Sequence, residues 1–120
     1  MKQASNKLSG GWRGRSRAAV ATAKLYLAAL LAAAPYGEMR DPARALSLIE
    51  QVFAGVDDDP TAFEIRAAAA ANSGNFANAV MYEARALDRA KRLSWDVAPL
   101  RERWTSYQSG QPWYGDLLGF

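Results

Sequence analysis

The chain has neither cysteine nor histidine among its 120 residues. The first absence excludes disulfides and cysteine metal sites and leaves the redox compartment open. The second removes the commonest general base and the commonest metal ligand together. There is also no Walker loop, no Gly-rich dinucleotide turn and no nucleophile–base pair, so no catalytic residue is assigned and neither a metal nor another cofactor is expected. Acid is missing from residues 1–24, which carry six basic side chains, Lys2, Lys7, Arg13, Arg15, Arg17 and Lys24. Residues 25–120 hold nine basic against twelve acidic groups, so the overall charge of +3 belongs to a basic arm and the body is net −3. By charge alone the body is no nucleic-acid surface. Val, Ile and Thr are scarce beside twenty-five alanines. Alanine loses no side-chain entropy in a helix and β-branched residues do, so the chain reads as all-α.

Residues 1–16, MKQASNKLSGGWRGRS, are too polar and Gly/Ser-rich to offset chain entropy and read as a flexible arm. Residues 17–110 read as one helical domain, and residues 111–120 as an aromatic tail. The run from Arg17 to Ala34 has no breaker and stops at Pro35-Tyr36-Gly37. Asp41-Pro42 restarts a helix with Asp as N-cap and Pro at its first position, where the missing N–H costs nothing. Ala45, Leu48, Ile49, Val52 and Phe53 then form one stripe before Gly55. Asp57-Asp58-Asp59-Pro60 repeats the start signal for a third helix that stops at Gly74. Phe76 opens a fourth, with Val80, Glu83, Ala84 and Leu87 at helical spacing. A fifth is expected from Ser94 or Trp95 to Ser109, with Leu100, Trp104 and Tyr107 on one face.

Sliding the sequence on itself by 34 residues aligns PARAL (42–46) with FANAV (76–80), Ala45 with Ala79 and Val52 with Ala86. Residues 63–87 resemble a tetratricopeptide repeat, with Phe63 and Ala67 in helix A, Gly74 in the turn, and Phe76, Ala79 and Ala86 in helix B. Ala29, Ala45 and Phe53 match the first unit by class, whereas PYGEMRDP departs from the usual turn. Ser94–Ser109 resembles the terminal capping helix, and Tyr107, Gly110, Pro112 and Trp113 resemble the ending of a bacterial subgroup. The resemblance covers residues 25–113 and implies right-handed antiparallel hairpins, about two repeats plus a cap.

It further implies a non-catalytic scaffold whose concave helix-A face takes a peptide or a partner subunit. The positions carried over to that groove are Leu27, Leu30 and Ala34, then Thr61, Glu64, Ala68, Ala71 and Asn72, and in the cap Trp95, Ala98, Glu102 and Ser106. Members that hold a terminal carboxylate do so with Lys, Asn and Arg; Leu30 and Ala34 stand at matching positions, so acidic C-terminal peptides are not expected to bind. A homo-oligomer or a larger assembly fits the same resemblance.

Four features carry a sharper and a plainer reading. Arg66 stands where the family buries an apolar residue and Ala70 replaces an aromatic; the plainer reading lays the Arg stem over that space with its head at solvent or an acid, the sharper one grips an anion. Asp57–Asp59 lack the Gly and Glu of a calcium loop and read as helix capping. Gly10-Gly11-Trp12-Arg13-Gly14-Arg15 resembles RG-type RNA-binding segments, a lesser alternative to a plain basic tail. Trp113, Tyr114, Leu117, Leu118 and Phe120 read as a lid on the last helix in preference to a docking peptide. A competing reading takes residues 18–34 as a signal or membrane anchor, although Lys24 interrupts that run and seventeen residues are short for a span. The cytoplasm is therefore favoured over a periplasmic or membrane-anchored location.

Overall fold

The computed structural model describes residues 19–53 and 59–118, which form α-helices joined by short turns, with no strand among the described residues. The helices are α1 (residues 19–33), α2 (Pro42–Val52), α3 (Pro60–Asn72), α4 (Phe76–Arg92) and α5 (Ala98–Gln108), with a 3-10 turn at Gly37–Met39. The basic arm, Gly55, Asp57, Asp58 and Phe120 lie outside the described residues.

Local chemistry sets the helix ends. Asp41 accepts the Arg44 N–H at 3.1 Å and Asp59 accepts that of Thr61 at 2.8 Å, each followed by its proline. Asn75 caps α4 by accepting the Asn78 N–H at 3.2 Å. At the C-terminus of α3, Gly74 adopts φ 83°, a conformation that costs a side-chain-bearing residue dearly. The N–H groups of Ser73, Gly74 and Asn75 satisfy the last α3 carbonyls.

The fifth helix starts later than the sequence suggests. Residues 94–97 close α4 instead: Ser94 turns at φ 60°, and the Trp95 N–H bonds to the Ala90 carbonyl at 2.9 Å. Asp96 then accepts the Ala98 N–H at 3.1 Å, and Pro99 falls in the first turn of α5. Trp95 is therefore an exposed turn residue and not a helix face residue.

Neighbouring helices pack in chain order, α3 on α2 and α4, and α4 on α5. One cluster joins Ala28, Ala29, Ala32 and Ala33 of α1 to Ala45, Leu48 and Ile49 of α2 and Ala62, Ile65, Ala68 and Ala69 of α3. A second joins Phe63 to Ala86, Leu87, Ala90 and Leu100. A third joins Ala67 and Ala71 to Ala79 and Tyr107. The central helix is α3, buried on nearly every face from Pro60 to Ala71. Its alanines let neighbouring backbones approach closely, so they set helix spacing more than they supply contact area. Among the described residues no helix is long and apolar enough to cross a membrane.

Candidate functional site

The chain beyond α5 folds back onto the helices. Gly110 turns it at φ 70°, and the Ser106 hydroxyl donates to the Gln111 carbonyl at 3.1 Å. Trp113 packs against the cluster of α1, α2 and α3 and also against that of Ala67, Ala71 and Tyr107. The Gly115 N–H donates to the Ala33 carbonyl at 2.8 Å, and Leu117 is buried in the core with Ala28 and Ala68. Arg40 donates to the Ala34 carbonyl at 2.8 Å while its guanidinium lies 3.9 Å from the Tyr114 ring centroid. A Cβ at Gly115 would stand 2.7 Å from the Trp113 ring, and φ there is 151°, so both space and backbone demand glycine. The tail thus packs on α1 and α3 more than on the last helix, where the lid was expected to fold.

Under this tail lies a buried polar cluster. Glu64 on α3 accepts from Arg103 Nε at 2.8 Å and from its Nη2 at 2.5 Å. The same guanidinium lies 4.7 Å from the Trp113 ring centroid. One arginine thus ties α3 to α5 and carries the tail's indole on its face. Glu83 of α4 is fully buried, and its carboxyl hydrogen-bonds to that of Glu64 while no N–H group donates to it; the Tyr107 hydroxyl is buried with no hydrogen-bond partner.

Burial, reinforced by the negative charge of Glu64, pushes the Glu83 carboxyl up to about 9, with Arg103 opposing. Burial also raises Glu64, against the charge and hydrogen bonds of Arg103. The charge therefore resides on Glu64, facing the arginine, and the proton on Glu83. The Tyr107 hydroxyl is pushed up by burial and by Glu83. Closed to solvent, the cluster holds one proton in place and presents no open position to a substrate. Among the described residues no group of three or more acidic side chains is arranged to hold a metal.

An open cleft of about 360 Å³ remains beside the tail, lined by Tyr26, Ala29, Leu30, Pro35, Leu117 and Leu118. Tyr26 is 39% and Leu30 51% exposed.

The structure distributes the expected groove residues unevenly. Leu30 lines the open cleft, Leu27 and Asn72 are half-buried, and Glu102 and Trp95 are exposed. Ala34, Glu64, Ala68 and Ala71 are buried and are not open to a partner. For Ala68 and Ala71 the clusters that enclose them are the ones on which Trp113 packs, and for Glu64 the cover comes with Arg103. The Glu64 charge is matched internally by Arg103 and is not presented to a partner. Arg66 is buried to 9% exposure and pairs with Glu50 of α2 at 3.0 Å, the acid-facing arrangement of the plainer reading. The Glu64–Arg103–Glu83 cluster was not foreseen. Its signal was present, because Glu83 and Arg103 occupy the same helical stripes as Leu87 and as Leu100 and Tyr107.

Comparison with protein-family models, curated proteins and solved structures finds no match.

Proposed function

We propose that this chain is a small, non-catalytic tetratricopeptide-like module that engages a protein segment on the face shared by α1 and α3. The observation that carries the reading is the apolar cleft at the edge of that face, where Tyr26 and Leu30 remain exposed while the rest is filled by residues 113–118. Support comes from the 34-residue period, the chain-order packing of the helices and the glycine turn between α3 and α4. An apolar cleft walled by aromatic and branched side chains suits a segment that contributes its own apolar anchors.

The reading is tested by placing a photo-crosslinking residue at Leu30 and, as a control, at Glu102 in the native cell. The expected result is a discrete crosslinked species from Leu30 that disappears when Tyr26 is changed to Glu. Equal, diffuse labelling from both positions would remove the cleft as the working surface.

A further inference from the structure

A second cleft, of about 340 Å³, lies between α4 and α5 and shares no lining residue with the cleft beside the tail. Its walls are one stripe of each helix. Ala84, Leu87 and Lys91 recur at helical spacing along α4, and Arg101, Trp104 and Thr105 do so along α5. The base is apolar: Leu87 is buried and Trp104 half-buried. The Trp104 N–H is shut off from solvent, so the indole offers the cleft ring carbons and not its donor.

Each helix adds one exposed cation to the rim, Lys91 and Arg101, and among the described residues neither is joined to an acid. Asp88, the acid on that rim, is engaged by Arg92 at 3.3 Å and by Arg89 at 3.4 Å. The dipole of α4 accounts for Lys91, because the last turn of a helix favours cations. It does not account for Arg101, the fourth residue of α5, near the end that favours anions. Two uncompensated positive charges therefore stand on opposite walls of one apolar cleft.

We infer that the α4–α5 cleft binds a small organic anion in which a carboxylate is joined to a flat apolar body. The carboxylate takes charge-assisted hydrogen bonds from Lys91 and Arg101, with the Thr105 hydroxyl as a further donor, and the body lies on Leu87 and Trp104. Each half of such a ligand answers one half of the cleft. A bare anion leaves the indole and Leu87 in water, and a neutral aromatic leaves both cations unmatched. The lining stripes are short, about two turns of α4 and about one of α5, which suits a compact molecule in preference to an extended segment of a partner.

The probes are 2-naphthoate, its neutral counterpart 2-naphthamide, and acetate. Each is titrated into the isotope-labelled full chain and followed by amide shifts in two-dimensional NMR. Naphthoate should give saturable shifts centred on residues 84–91 and 101–105, with naphthamide and acetate each binding about tenfold more weakly. Lys91→Gln combined with Arg101→Gln, both at exposed positions, should weaken naphthoate about tenfold, leave naphthamide unchanged and preserve the spectrum of the fold. Equal affinity for naphthoate and either other probe, or unaltered naphthoate binding in the double variant, overturns the assignment. So do shifts centred on Tyr26 and Leu30, or no saturable shift at millimolar probe. Because the two clefts share no residue, failure here leaves the Leu30 crosslinking result untouched, and diffuse labelling from Leu30 leaves the anion site standing.

Discussion

A carboxyl group that keeps its proton at neutral pH makes folding itself pH-dependent. Glu83 ionises near its ordinary 4.5 in the unfolded chain and near 9 in the folded one. Between those values the folded protein binds the extra proton, so this group's contribution is complete below the lower value and is lost as pH rises through the upper. Glu83→Gln keeps the shape without the charge. It should raise stability by on the order of 3 kcal/mol at pH 7 and flatten its decline from pH 5 to 9, measured by urea unfolding; an unchanged pH slope would show that Glu83 is already ionised in the fold. Glu64 and Glu83 both act on Arg103. Removing the Glu64 charge by Glu64→Gln lets Glu83 ionise in its place. The single change should therefore cost less than the ~3–5 kcal/mol of an abandoned buried ion, and Glu64→Gln with Glu83→Gln should reach that figure, a non-additivity visible in a double-mutant cycle. Glu83 and Arg103 share helical stripes with Leu87 and with Leu100 and Tyr107, but charged side chains are seldom buried and the spacing alone does not set them apart from surface residues. Which carboxyl the arginine faces depends on how α3, α4 and α5 dock, and no local pattern encodes that.

At the scale of the helix and the turn, legibility followed local chemistry. The starts of α2 and α3 and the stop of α3 were readable because an aspartate, a proline or a glycine acts on its immediate neighbours. Asp59→Ala should accordingly cost about 1 kcal/mol, seen as a lower denaturation midpoint. The start of α5 was misplaced because Ser94 and Trp95 have no breaker between them and α4, and their role as a cap for α4 is a matter of backbone conformation. The groove was harder still. Its positions came from a repeat pattern, and the residues that cover Ala68 and Ala71 belong to a tail outside the period. Gly115 is the position on which that cover turns. Gly115→Ala forces a Cβ into the Trp113 ring at an unfavourable φ and should cost about 1–3 kcal/mol. The accompanying change is a red-shifted tryptophan emission as Trp113 leaves its site; a shift absent at equal destabilisation would mean that the tail adapts without moving.

Across the whole molecule the tail closes a structure that the helices leave open. Short helical arrays gain stability from neighbours, and an end helix with one uncovered face is the weakest member. Here α1 is the first described helix, and its Ala28, Ala29, Ala32 and Ala33 bury a narrow apolar stripe that α2, α3 and Leu117 share. Alanine contributes little area, so the loss of Trp113 and Leu117 removes two of the larger side chains in the cluster that α1 packs against. By contrast α4 is held between α3 and α5, both present without the tail. Deletion of residues 112–118 should therefore act unevenly. Hydrogen exchange should show the amides of residues 25–33 losing protection toward the level of a fraying helix, while Ala79, Ala86 and Ala90 of α4 keep most of theirs. Equal loss in α1 and α4 would mean that the helices and tail unfold as one cooperative unit. Unchanged protection in α1 would mean that the tail rests on the α1–α3 face without supporting it.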